Sequence, residues 1–214
     1  TEQRIDVATA RLEYYEYPAA LPTVELSSIK MDLFRRDFTV NALAVQLNPG
    51  HFGRLVDFFG AQRDLKERVI RVLHSLSFVE DPTRILRAIR FEQRYGFRIG
   101  GQTRRLIKNA LQLDLIMKLS GSRLLHEFKL LMEEKSPLAC LRSMNEYHVL
   151  QSISPRLELT PPRLRLLEEM EEVQSWYRLL YLEPRPRPWL YYLFGLTTEW
   201  KRDEILALLR RLSL

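Results

Sequence analysis

The residues whose types and spacing lend themselves to chemistry stand at Glu80-Asp81-Pro82-Thr83-Arg84, with Arg87 a turn further on. Asp81 before Pro82 reads as a helix start, because an Asp side chain accepts from the free N–H groups of a first turn and proline tolerates the position that follows. Glu80, Arg84 and Arg87 then share one side of the first two turns, since residues three and four apart are helix neighbours. Carboxylates and guanidinium groups face the same space. Alone, this is better explained by a capped helix with an exposed ion pair, an ordinary surface feature.

Two further sets precede it. Arg35-Arg36-Asp37-Phe38-Thr39-Val40-Asn41 places paired arginines beside an aspartate among apolar residues. Such a set can clamp phosphates and hydrogen-bond a ribose hydroxyl, or equally form a capped turn. Asp6 lies in an alternating stretch, Arg4 to Ala10, that reads as a strand. It is either a solvent-face residue or a metal ligand held on a rigid strand.

These side chains need elements to position them. A Tyr-rich segment with Pro18 and Pro22 reads as a loop, and Leu43–Leu47 and Arg54–Phe58 read as a hairpin joined by Asn48-Pro49-Gly50-His51-Phe52-Gly53. Val69–Val72 reads as a short strand. From Glu80 onward the periodicity is helical: Pro82–Tyr95 stopped by Gly96, Thr103–Leu113, Ser122–Glu134, Pro137–Met144, Pro162–Leu182, Trp189–Phe194 and Glu199–Leu212. The run from Glu183 to Pro188 reads as a stiff connection, and Trp176, Trp189 and Trp200 read as core residues rather than base-stacking platforms. The fold class expected is α+β and predominantly helical.

Of the 214 residues 46% are hydrophobic, enough for a real core, and the formal charge of +6 favours a polyanionic partner. Between Arg84 and Arg123 there are ten basic residues against two acidic ones, an excess of the size a phosphate-binding surface needs. Cys140 is the only cysteine, so no intrachain disulfide forms, and the four histidines show no metal-ligand spacing with it. No apolar run approaches a membrane span and the amino terminus lacks a signal-peptide layout, so a reducing, cytoplasmic location is expected. The chain opens on strand-like residues without an initiating Met, which reads as a fragment boundary.

In this order the segments resemble the class II tRNA nucleotidyltransferase and bacterial poly(A) polymerase family, from about Arg4 to Glu134. Arg35-Arg36-Asp37-Phe38-Thr39 with Asn41-Ala42 resembles its ribose-recognition motif. Asp57-Phe58-Phe59-Gly60 with Asp64-Leu65 resembles the hinge motif between head and neck, with Ala61 where a second glycine is usual. Glu80-Asp81-Pro82-Thr83-Arg84 resembles the motif that selects the incoming nucleotide, and Ser120–Lys129 the neck helix that supports it. Asp6 matches the third catalytic carboxylate.

The resemblance implies a remnant of a nucleotidyltransferase head over 1–74, a helical neck over 75–136 and a helical, RNA-binding body over 137–214. It implies a parent enzyme that adds C, A or both to the 3′ end of tRNA from CTP and ATP, with Mg²⁺. Asp6 would assist metal binding; Arg36, Asp37 and Asn41 would hold the ribose; Asp81 and Arg84 would read the base. Arg87 would brace Arg84 or touch the nucleotide, and Glu80, Arg123 and Glu127 would support the reading pair. Arg94, Arg98, Arg104, Arg105 and Lys108 would grip the tRNA acceptor arm, and large family members carry further domains upstream.

Hydrogen-bond chemistry gives the reading pair an independent rationale. Cytosine and adenine each present an amino donor beside a ring-nitrogen acceptor, whereas guanine and uracil present a carbonyl beside a ring N–H. A carboxylate acceptor next to a guanidinium donor matches C and A and mismatches G and U. At about 1–3 kcal/mol per unpaired buried group, two mismatches discriminate on the order of a hundredfold or more.

The family's glycine-rich nucleotide turn and its Asp-x-Asp pair have no counterpart in this sequence, so the chain alone is expected not to catalyse nucleotide addition. Two rival readings stand beside this one: a poly(A) polymerase, which shares the motifs, and a non-catalytic RNA-binding module.

Overall fold

A computed structural model describes residues 5–181 and 187–214, and of Arg178 only the backbone. The expected strand over Arg4–Ala10 does not form among its described residues: 5–10 carry no regular structure, and Asp6 is exposed. The reason is the ladder. β1 (Arg11–Tyr14) pairs antiparallel with β2 (Thr23–Leu26) from Arg11↔Leu26 to Tyr14↔Thr23, and the last rung back toward the amino terminus is Ser27 N–H to Ala10 C=O at 3.0 Å. The Tyr-rich segment thus contributes a strand as well as a loop, where the sequence reading expected a loop alone.

Ser28 caps α1 (Ile29–Phe34) by accepting from Met31 N–H. β3 (Leu43–Val45) and β4 (Leu55–Asp57) form the expected hairpin, somewhat shorter than expected. Asp57 then builds the turn into α2 (Ala61–Glu67). Its Oδ1 accepts from Phe59 N–H and Ala61 N–H and its Oδ2 from Gln62 N–H, while Gly60 takes a φ of +75° that favours glycine. Burial works against the Asp57 charge, but these backbone donors prevail and hold its carboxyl below the usual range.

β5 (Val69–Ile70) pairs in parallel with β6 (Arg98–Ile99), and Phe38 bridges Val72. Among the described residues the strands therefore form three separate two-stranded pieces. A short α3 (Ser77–Glu80) leads into α4 (Thr83–Tyr95), with Gly96 in the left-handed conformation at its end. Ile85, Leu86, Ala88 and Ile89 of α4 are fully buried, as helical spacing expects.

The remaining helices are α5 (Gly101–Gln112), α6 (Gly121–Met132), α7 (Pro137–Glu146), α8 (Val149–Ile153), α9 (Pro161–Leu179), α10 (Pro188–Thr197) and α11 (Arg202–Arg211). α4 lies at the centre, packed against α6 and α7, with Leu124, Leu125, Phe128, Leu131 and Met132 of α6 buried. Trp189 and Trp200 are core residues, but Trp176 is 61% exposed near the end of α9, against expectation. A long helix buries one stripe, and Trp176 lies off it. The proline run falls mostly outside the described residues.

α11 returns to the start of α6: Arg211 donates to the carbonyls of Leu119 and Ile116 at 2.9 and 2.8 Å. The approach is close enough that a Cβ on Gly121 would stand 2.4 Å from the Arg211 carbonyl oxygen.

Candidate functional site

α4 starts where the chemistry is. Asp81 Oδ1 accepts from Thr83 N–H at 3.0 Å and from Thr83 Oγ1 at 2.6 Å, so the carboxylate satisfies the first helical N–H, although the helix starts one residue later than expected, with Pro82 rather than Asp81 at the N-cap position. The same oxygen accepts from Arg123 Nη2 of α6 at 2.8 Å, and Arg123 Nη1 donates to the carbonyl of Ala19 in the β1–β2 loop at 3.0 Å. All the hydrogen bonds that the described residues give the Asp81 carboxylate end on Oδ1. Oδ2 is left as an open acceptor.

Arg84, only 4% exposed, is held just as firmly. Its Nη1 donates to Ser77 Oγ at 2.8 Å and its Nη2 to the backbone carbonyl of Arg35 at 2.7 Å, with Glu80 Oε2 3.9 Å from Nη1. A guanidinium carries five N–H donors, so these anchors leave it able to donate further. Behind the pair, His74 Nε2 lies 3.4 Å from Glu80 Oε2 and its ring packs on Phe34. Burial, helped by the charge of Arg84, lowers the His74 pKa to about 4. Burial also pushes the Glu80 carboxyl up, opposed by Arg84.

Asp37 is buried and engaged at both oxygens: Oδ1 accepts from Phe38 N–H at 2.8 Å and Asn41 Nδ2 at 2.9 Å, and Oδ2 from Arg87 Nε and Nη2 at 2.9 and 2.6 Å. It orients Asn41 and Arg87 rather than presenting free oxygens. Arg36 is 43% exposed on its side chain, which among the described residues is tethered by a hydrogen-bonded ion pair to Asp32 at 3.4 Å. Asp32 itself resists the effect of its burial through hydrogen bonds from Arg35 and Arg11 N–H, which hold its carboxyl below the usual range. Glu127 lies 3.7 Å from Arg87 Nη1 and 3.9 Å from Arg90 Nη2, and its buried Oε2 has no hydrogen-bond partner among the described residues. Burial accordingly pushes its pKa up.

Arg36, Asp37, Asn41, Asp81, Arg84 and Arg87 converge on one open cleft of about 510 Å³, with Glu127 at its wall. Glu80 and Arg123 stand behind it as braces. A larger cavity of about 670 Å³ lies between α5 and α7–α8, beside Arg104 and Lys108, but gathers none of these groups. Arg98, Arg104, Arg105 and Lys108 are exposed away from the cleft, while Arg94 is engaged by Glu134 at 2.6 and 3.0 Å.

Asp6 lies apart from the cleft's lining residues, and no cluster of His, Cys, Asp or Glu among the described residues could hold a metal ion. The donor set of the described residues does not fit Mg²⁺ by itself. Sequence reasoning also missed two lining residues, Glu13 and Tyr15. Their alternation along Leu12-Glu13-Tyr14-Tyr15 was the available signal, obscured by the prolines that follow.

A helix that opens on a carboxylate and a guanidinium beside a cleft of arginines fits one class of protein, and the comparisons agree: the chain belongs to the poly(A) polymerase and tRNA nucleotidyltransferase family. Residues 1–71 match the model described as "Poly A polymerase head domain", and residues 96–160 the one described as "Probable RNA and SrmB- binding site of polymerase A". Among named relatives, the chain is 51% identical over 210 residues to the A-adding tRNA nucleotidyltransferase of Geobacter sulfurreducens, covering 98% of this chain and 24% of that protein. A solved CCA-adding enzyme in an apo form superposes with a TM-score of 0.92 at 45% identity, over 98% of this chain and 49% of that one. A CCA-adding enzyme in complex with CTP superposes at 0.81 and 43% identity, over 87% of this chain and 44% of that one. The chain thus spans about a quarter of the curated relative and about half of the solved chains.

Proposed function

We propose that the protein carrying this chain is an RNA nucleotidyltransferase that adds A, C or both to the 3′ end of tRNA from ATP and CTP, and that the cleft at the start of α4 selects the base. The observation that carries this reading is the open Asp81 Oδ2 beside the anchored Arg84. An acceptor and a donor fixed side by side match the Watson–Crick edges of A and C and mismatch those of G and U. Burial of Arg84 raises the cost of a mismatch, because a donor left unpaired there has little water to turn to.

In this reading Asp37 orients Asn41 and Arg87 toward the ribose, Arg36 reaches the phosphates, and Glu80, Arg123 and Glu127 hold the reading pair. The exposed Arg98, Arg104, Arg105 and Lys108 meet the phosphates of the tRNA acceptor arm, and Arg94 joins them by leaving Glu134. The protein works in the cytoplasm, and further domains precede the head. In the whole enzyme Mg²⁺ would neutralise charge at the reacting phosphates, held by carboxylates beyond those of the described residues, with Asp6 as one candidate contributor.

Incorporation of each nucleotide by the whole protein into tRNAs ending before the first C, before the second C and before the terminal A tests the proposal. Stepwise addition of A, C or both is expected. A long A tract on any RNA end would mark a poly(A) polymerase instead, and steeply salt-dependent RNA binding without incorporation would mark a binding module.

A further inference from the structure

A base read along its edge by Asp81 and Arg84 still has two π faces to cover, and the cleft offers little for that purpose: its lining is charged or amidic almost throughout. Among the described residues that line it, Tyr15 carries the only ring. The β1–β2 loop that brings it there is fixed at Ala19, whose N–H donates to the Val79 carbonyl at 3.3 Å and whose carbonyl accepts from Arg123. Arg123 also holds Asp81, so the loop and the edge-reading carboxylate share one anchor.

The phenol is further restrained through its hydroxyl. Tyr15 Oη donates to Glu13 Oε2 at 3.0 Å, and Glu13 Oε1 accepts from Arg35 Nη1 at 2.8 Å and lies 3.3 Å from Arg11 Nη2. Arg35 is the residue whose backbone carbonyl receives Arg84. Two short chains of contacts, one through Arg35 and one through Arg123, therefore connect the hairpin to both members of the reading pair. Burial raises the Tyr15 pKa, so the hydroxyl remains a donor at neutral pH. With that end engaged, the ring is what Tyr15 presents to a ligand.

We propose that Tyr15 covers the π face of the incoming base, with Glu13 as its positioning residue. This rests on the reading of the cleft as a nucleotide site. Base–aromatic stacking tolerates any base, so the role adds affinity while Asp81 and Arg84 supply the choice.

The test compares Tyr15→Leu, Tyr15→Phe and Tyr15→Trp with the unaltered whole protein, measuring nucleotide KM, kcat, tRNA affinity and Tm. Tyr15→Leu should raise nucleotide KM about tenfold or more, with kcat changed much less and tRNA affinity kept. Tyr15→Phe and Tyr15→Trp, which keep a ring, should stay within about threefold of the parent in KM. An unchanged KM in Tyr15→Leu overturns the proposal, and so does Tyr15→Phe failing as badly as Tyr15→Leu, which would place the role in the hydroxyl. If Tyr15→Leu loses its fold, Tyr15→Trp decides: a tenfold rise in KM at unchanged Tm overturns the proposal. An unaltered protein that takes all four nucleotides alike would instead sink the reading of the cleft, separately from Tyr15.

Discussion

Arg123 reaches from α6 to Asp81 at the start of α4, its Nη2 2.8 Å from Oδ1, and with its other nitrogen holds the Ala19 carbonyl at 3.0 Å. One guanidinium therefore fixes the edge-reading carboxylate and the hairpin loop together, using the planar fork that a lysine lacks. Arg123→Ala and Arg123→Lys should both reduce discrimination against GTP and UTP about tenfold while tRNA affinity stays near the parent's, as measured by single-nucleotide incorporation and filter binding. Full rescue by lysine would show that charge alone suffices.

Asp37 carries four hydrogen bonds on its two oxygens, so its replacement is a matter of folding before it is one of binding. Asp37→Ala should cost about 2–4 kcal/mol in urea unfolding. That is toward the lower part of the range for breaking a buried pair, because Arg87 retains 32% side-chain exposure and can regain water. A loss below about 0.5 kcal/mol would contradict the network described.

Gly121 sits where the backbone of α11 crosses the start of α6. The added Cβ of Gly121→Ala would meet the Arg211 carbonyl oxygen at 2.4 Å and the Leu212 carbonyl carbon at 2.8 Å, atoms that cannot rotate aside. The substitution should destabilise by about 1–3 kcal/mol and make the C-terminal helix a site of early proteolysis. Unchanged Tm and protease resistance would contradict this docking.

His74, with a pKa of about 4 against an ordinary 6.5, binds fewer protons folded than unfolded between those values. Stability therefore falls as pH drops through that window and rises as pH increases through it. The raised Glu80 carboxyl acts in the opposite direction just above its ordinary range and offsets part of the slope. Unfolding free energies from pH 7 to 4 should decline by on the order of 1–3 kcal/mol from this group, and His74→Asn should flatten the decline. An unaltered slope in His74→Asn would remove His74 from the account.

How much of this was legible in the sequence depended on how local the signal was. The Asp81 contact with the first turn, the α4 stripe of Ile85, Leu86 and Ile89, and the glycine stop at Gly96 are local, and each was read, with the helix start one residue early. The convergence of Arg36, Asp37, Asn41, Asp81, Arg84 and Arg87 also followed, because the motif order implied it. The strand pairing was not local. Asp6 required a ladder beyond Ala10 that the described residues do not provide, and Glu13 and Tyr15 reach the cleft only because β1 pairs with β2. Nor could spacing reveal that Arg84 is anchored by the carbonyl of Arg35, or that Asp37 is already occupied by Arg87; both contacts cross about fifty positions. Such contacts follow from tertiary packing, which periodicity does not encode.

Base choice in the Asp81→Asn variant tests the central claim most directly, because that substitution keeps size and the Oδ1 acceptor yet turns the open carboxylate oxygen into an amide donor or loses its charge. With the four nucleotides compared singly on tRNA lacking its terminal residue, the unaltered whole protein should favour ATP or CTP over GTP and UTP by on the order of a hundredfold. Asp81→Asn should compress that preference to within about tenfold with tRNA affinity unchanged. Intact base preference in Asp81→Asn, or loss of tRNA binding in place of loss of choice, would contradict the assignment of this cleft.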